Sequence, residues 1–283
     1  MKLGHVGEPG AESPVAFVGP DTVVDLSAVT SSVDGRFLAS GGLVRAAEAI
    51  GHLEPEPLGG RRIGAPIARP HQILCIGLNY SDHAAETGQE VPAEPIVFTK
   101  APNTLIGPDD AVRIPRGGTK TDWEVELGIV IGRRTSYLGS PEEAADAIAG
   151  FCVVNDVSER AFQLERGGQW SKGKSAETFN PVGPWLVTPD EIPDVRCLGM
   201  WLEVNGVRRQ SGSTSKMIFD PYVIVHYLSQ FFVLEPGDLI NTGTPPGVGM
   251  GLRPPVFLRA GDVMELGIQG LGSQRQTVVG PRA

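Results

Sequence analysis

Three carboxylates stand where a folded chain could bring them together: Glu124 and Glu126 in TDWEVELGIVIG, and Asp156 at the end of GFCVVND. In a strand, alternation places Glu124, Glu126, Gly128 and Val130 on one face and Val125, Leu127, Ile129 and Ile131 on the other. Two like charges on a face that continues as Gly and Val repel each other, and more so as water is withdrawn. A bound cation removes that conflict, and so does a strand end left in water; the pair alone does not choose. Asp156 favours the cation, because a second apolar strand delivers a third carboxylate at its terminus. Three oxygen donors without His or Cys beside them suit a hard ion such as Mg²⁺, Mn²⁺ or Ca²⁺, with open positions for a chelating substrate.

His83 and Glu86 lie three residues apart in SDHAAE and share a face if this segment is helical. A carboxylate beside imidazole orients the ring and raises its basicity, as a general base near neutral pH requires; solvated helices also carry such pairs. Lys174, in WSKGKSAETF, has the charge to stabilise an enolate or bind a carboxylate, although both Lys172 and Lys174 would be unexceptional in solvent. Arg160 and Gln163 follow Asp156 and can project from the same wall. The loop NTGTPPGVG offers the hydroxyls of Thr242 and Thr244 and backbone N–H groups suited to a carboxylate. Its glycines match neither GxGxxG nor the P-loop spacing, which argues against a nucleotide.

The elements that must position these groups are mostly strands. Apolar or alternating segments recur as QILCIGL, PIVFTK, EVELGIVIG, GFCVVND, GPWLVT, GMWLEVNGV, DLINTGT and PVFLRAGDVMELGI. Helical patterns occur in LVRAAEAIGHL, after Ser81, in PEEAADAIAG and in DPYVIVHYLSQFF. No regular βαβ alternation appears, so the fold class is mixed α/β, mainly β, and not a doubly wound sheet. VAFVGPDTVVDLSAV predicts two strands about a Gly-Pro-Asp turn, and the Pro-, Gly- and Arg-rich LEPEPLGGRRIGAPIARP reads as a linker. These place a small N-terminal domain at 1–68 and a catalytic domain at 69–283.

The net charge of -9 argues against nucleic acid or an anionic membrane as the main partner. No apolar run approaches a membrane span and the N-terminus lacks a signal-peptide core, so the chain is expected to be soluble and cytoplasmic. Cys75, Cys152 and Cys197 show no zinc spacing and are expected to be buried free thiols.

Taken in order, IGLNYSDHAAE, PIVFTKAPNTLIGP, DWEVELGIVIG, VVNDVSERAFQ, WSKGKSAETFNPVGPWL and LINTGTPPGVG resemble the fumarylacetoacetate hydrolase family, across roughly residues 70 to 250. The resemblance is to the acylpyruvase-like, 2,4-dioxo-acid hydrolase branch. It implies a β-sandwich roll with a smaller N-terminal β-rich domain, and a homodimer. It implies that Glu124, Glu126 and Asp156 ligate Mg²⁺ or Mn²⁺, that His83 and Glu86 activate water, and that Lys174 stabilises an enolate. Lys100, Arg160, Gln163 and Thr244 match substrate-contacting positions. Leu78 departs from the basic residue of some decarboxylating relatives, which mildly favours hydrolysis.

The expected reaction is therefore hydrolysis of an acylpyruvate-like 2,4-dioxo acid to pyruvate and a carboxylic acid. Oxaloacetate decarboxylation and isomerisation of an unsaturated 2-oxo diacid would use the same head-group site. A catalytically silent 2-oxo-acid-binding homologue is the alternative from another class.

Overall fold

The computed structural model describes residues 1–82 and 90–282. Its largest element is an eleven-stranded sheet. At its centre Val125–Ile131 runs antiparallel to both Ile148–Asn155 and Leu239–Asn241. Leu239–Asn241 is followed by Ile73–Gly77, in parallel, and then by Ile96–Lys100 at the edge. On the other side Ile148–Asn155 pairs with Asn180–Val187, which pairs in turn with Lys2–Val6. The N-terminal strands Ser13–Gly19, Thr22–Asp25 and Glu56–Pro57 continue the same sheet outward. Residues before and after position 68 thus share one hydrogen-bonded layer, joined where Leu3 faces Leu186.

The alternation in Val125–Ile131 sorts its side chains between two cores. Val125, Leu127, Ile129 and Ile131 pack with Leu202, Val204, Met264 and Leu266 of a five-stranded second sheet. Each such aliphatic side chain contributes about 1.5–3 kcal/mol on full burial. Val130 faces the other way, among Leu3, Val24, Phe37 and Val154. Gly128 also lies on that face, where a Cβ would come within 2.6 Å of Val154 Cγ2 and 2.8 Å of Cys152 Sγ. The two packed sheets, with short helices against them, are the mixed, mainly β architecture that the strand-rich sequence predicts.

Two segments differ from the sequence expectation. PEEAADAIAG forms a 3₁₀ helix only over Pro141–Ala147 before a strand begins at Ile148. Ala144 and Ala147, three apart, are the buried pair, which matches three residues per turn. In PVFLRAGDVMELGI only Val263–Ile268 is a strand. The preceding residues form a loop in which Leu258 N donates to Thr121 O at 2.8 Å. DPYVIVHYLSQFF is helical over Pro221–Ser229, where Asp220 caps Tyr222 N and Val223 N at 2.9 and 3.0 Å and Pro221 opens the first turn.

The cysteines are free, as expected, but only Cys75 and Cys152 are buried; Cys197 is exposed on a short 3₁₀ turn. Among the described residues no helix is long and apolar enough to cross a membrane.

Candidate active site

Antiparallel pairing of Val125 with Asn155 sets Glu124 beside Asp156, since each stands one residue beyond that pair. The backbone confirms the register, with Asp156 N donating to Glu124 O at 2.9 Å. Residues opposite one another in a sheet share a face, and Glu126 follows Glu124 on it. Glu124, Glu126 and Asp156 accordingly converge: each offers an oxygen within 4.8 Å of the others, and all three are buried.

Cations surround two of the three acids. Lys174 Nζ donates to Glu124 Oε2 at 2.7 Å and to Asp156 Oδ2 at 2.8 Å. Arg160 Nη2 lies 2.7 Å from Glu124 Oε1, and Lys100 Nζ donates to Asp156 Oδ1 and, at 3.1 Å, to Val157 O. Burial pushes the Glu124 carboxyl up, but Lys174 and Arg160 outweigh it and hold the group at about 2. Burial also works against the charge on Lys174, yet Asp156 and Glu124 raise its pKa above the ordinary lysine value. Burial lowers Lys100 despite the opposing pull of Asp156.

Glu126 is the exception. It accepts a hydrogen bond from Gly243 N at 2.8 Å, and no ion pair reaches it among the described residues. Burial first, then the charges of Asp156 and Glu124, push its carboxyl well above the ordinary range. With Asp122, which pairs with Arg160, four carboxyls meet three cations in this cluster. A buried carboxylate short of a cation, beside two more oxygen donors, fits a hard divalent ion held by Glu124, Glu126 and Asp156.

The surrounding backbone is fixed by side chains from distant segments. Gln210, on the edge strand of the second sheet, accepts from Val125 N at 3.0 Å and donates to Thr244 Oγ1 and Pro245 O, each at 2.8 Å. Thr244 Oγ1 donates to Val125 O at 2.9 Å and Thr242 Oγ1 to Leu127 O at 2.8 Å, so both threonines brace the glutamate strand. Gln163 Oε1 accepts from Arg160 Nη1 at 3.0 Å. Beside the site, Asn79 Nδ2 donates to Thr242 O at 2.8 Å and Phe219 O at 3.0 Å, following Leu78, whose φ of 49° is in the left-handed region.

The structure therefore gathers Lys100, Glu124, Glu126, Asp156, Arg160, Gln163, Lys174 and Thr244 in one region. His83 and Glu86 lie outside the described residues. Sequence reading passed over Gln210 and Asp122; the position of Asp122 two residues before Glu124, on the same alternating face, was the only local signal.

A family described as fumarylacetoacetate (FAA) hydrolase C-terminal matches residues 72–279. A protein of Burkholderia multivorans, named no more closely than as a hydrolase, is 50% identical over 281 residues, 98% of each chain. The fumarylacetoacetate hydrolase of Exiguobacterium antarcticum shares 33% identity over 100% of both chains, with a TM-score of 0.88. A 2-hydroxyhepta-2,4-diene-1,7-dioate isomerase from Mycobacterium marinum is 33% identical over 99% of this chain and 98% of its own, with a TM-score of 0.77. The maleylpyruvate hydrolase of Sphingobium sp. SYK-6, determined in complex with manganese (II) ion and pyruvate, is 28% identical over 100% of both chains, with a TM-score of 0.82. With three quarters of its length inside that family match and a near-complete relative at half identity, this chain belongs to the fumarylacetoacetate hydrolase family.

Proposed function

We propose that the protein hydrolyses a carbon–carbon bond of an acylpyruvate-like 2,4-dioxo acid, giving pyruvate and a carboxylic acid. The observation that carries this reading is the seat of Lys174, a buried ammonium within 2.8 Å of Glu124 and Asp156. A fixed positive charge there favours a substrate that becomes an enolate as its bond breaks. A divalent ion, Mg²⁺ or Mn²⁺, held by Glu124, Glu126 and Asp156 would supply an electrophilic anchor for the carboxylate and 2-oxo oxygen. The manganese and pyruvate named with the Sphingobium hydrolase support the same head group.

In this scheme His83, oriented by Glu86, takes a proton from water as the water oxygen attacks the 4-carbonyl carbon. The C3–C4 bond breaks and its electron pair remains on C3 as pyruvate enolate, beside Lys174. Return of that proton from His83 to C3 completes pyruvate and restores the base, and the former C4, carrying the water oxygen, leaves as a carboxylic acid. Arg160 and Gln163 form the wall that the rest of the substrate meets.

The similarity to a 2-hydroxyhepta-2,4-diene-1,7-dioate isomerase favours a second reading, isomerisation of an unsaturated 2-oxo diacid, in which His83 or Lys174 only moves protons between carbons. The deciding experiment supplies Mn²⁺ or Mg²⁺ with acetylpyruvate or oxaloacetate and follows pyruvate, with an EDTA control. Pyruvate from acetylpyruvate that EDTA abolishes supports the hydrolase. Pyruvate from oxaloacetate alone, above the protein-free rate, replaces it with a decarboxylase. Turnover of an unsaturated 2-oxo diacid without cleavage replaces it with an isomerase, and binding without turnover of any of these leaves a silent binding protein.

A further inference from the structure

We infer that Asp122 is a positioning residue of this centre: it sets the plane of Arg160 and, through Arg160, the direction of Glu124 Oε1. The inference rests on the proposed metal centre and not on which substrate is turned over.

Asp122 is fully buried, and its two oxygens take four donors. Oδ1 accepts from Trp123 N at 2.9 Å and Gly249 N at 2.6 Å; Oδ2 accepts from Met250 N at 3.0 Å and Arg160 Nε at 2.8 Å. That uses about four lone-pair sites, the capacity of an ionised carboxylate. Gly249 comes this close because it has no Cβ: one would stand 2.0 Å from Val256 O and 2.7 Å from Asp122 Oδ1.

Arg160 is held at three corners, by Asp122 at Nε, Gln163 at Nη1 and Glu124 at Nη2. The planar guanidinium has a fixed fork geometry, so anchoring Nε fixes where Nη2 points. Glu124 then has Oε1 held by Arg160 and Oε2 by Lys174, which also pairs with Asp156. Removing the Nε anchor frees the guanidinium to turn and leaves one corner of the triad less defined. Outer partners of this kind typically change metal affinity or activity by about 10–100-fold.

Asp122→Asn keeps the shape and removes one acceptor. With its oxygen on Trp123 and Gly249, the new NH₂ group faces the N–H of Arg160 and of Met250, donor against donor. Mn²⁺ affinity is measured by calorimetry on wild type, D122N, Arg160→Gln and the double variant. Each single variant is expected to bind Mn²⁺ about 10–100-fold more weakly, and the double variant no more weakly than the worse single one. An unchanged affinity in D122N, or a double variant that loses the product of the two effects, overturns the inference. If D122N does not fold, Asp122→Glu, which keeps the charge and lengthens the arm, replaces it in the same cycle with the same outcomes. Failure of wild type to bind Mn²⁺ overturns the centre and this inference together. Intact Mn²⁺ binding without turnover of a dioxo acid overturns only the proposed reaction.

Discussion

The backbone N–H of Asp156 donates to the carbonyl of Glu124 at 2.9 Å, closing the last rung between the two strands that deliver the acidic triad. That rung holds the carboxylates at a fixed spacing although all three are buried. Lys174 is the ammonium that spans Glu124 and Asp156.

Lys174→Met tests the two sides of that arrangement. The variant loses the charge placed for the enolate, and kcat falls about 10²–10³-fold, the scale of losing one electrostatic stabiliser. Arg160 has Asp122 as a counter-charge of its own, whereas the charge of Lys174 is matched by the ligand carboxylates Glu124 and Asp156 and repels a cation there, so Mn²⁺ binding tightens. Steady-state kinetics and calorimetry on one preparation read both effects. Weaker Mn²⁺ binding would show that Lys174 organises the triad more than it opposes the ion.

His83→Ala separates proton transfer from metal binding. Loss of a positioned base lowers kcat by about 10²–10⁴-fold while Mn²⁺ affinity stays at the wild-type value. Full activity in this variant would remove His83 from the scheme.

Glu126 makes metal uptake pH-dependent. Its carboxyl is held well above the ordinary range by burial and by Asp156 and Glu124, so in metal-free protein it keeps its proton where a free glutamate would not. The ion needs the carboxylate, and binding therefore releases that proton. Affinity rises with pH up to the raised pKa and levels off above it. Calorimetry in buffers of different ionisation heat measures the release, and Glu126→Gln abolishes it along with most of the affinity.

A second titration belongs to the N-terminal strand. His5 Nδ1 donates to Ala65 O at 2.7 Å and Nε2 accepts from Val33 N at 2.9 Å, so the ring fits its place as a neutral group. Burial lowers its pKa below the ordinary value of 6.5, while the Ala65 carbonyl opposes the shift. As pH falls through 6.5 the unfolded chain takes up the proton first. Stability from this group is complete above that pH and declines as pH drops toward the lowered value, by at most about 1.4 kcal/mol per pH unit. Urea titrations between about pH 7.5 and pH 5 measure the slope, and His5→Gln removes it.

How much of this was legible in the sequence depended on distance along the chain. Glu124 and Glu126 stood out because strand alternation is local, and Asp156 because an apolar run ended at it. The N-terminal hairpin followed from its turn residues, and the Pro221–Ser229 helix from the helical pattern of DPYVIVHYLSQFF. Asp122 did not stand out, because two of its partners, Gly249 N and Met250 N, lie 127 and 128 residues away. Gln210 was silent for the same reason: a glutamine in a polar hairpin carries no local sign that it will be buried against Val125 N. The loop before Val263 looked strand-like because its side chains are apolar, whereas its backbone partners are scattered: Val256 N on Gly249 O, Leu258 N on Thr121 O and Gly261 N on Val278 O.

The pairing of Leu3 with Leu186 also bears on the order in which the protein forms. During synthesis the first hairpin emerges with one edge open, and the strand that covers it is made more than 180 residues later. Closing so long a loop is entropically expensive and makes such contacts late. The strands Val125–Ile131 and Ile148–Asn155, by contrast, are near neighbours in sequence. The carboxylate triad can therefore take shape early, on a nascent chain, while the outer third of its own sheet still waits for a partner.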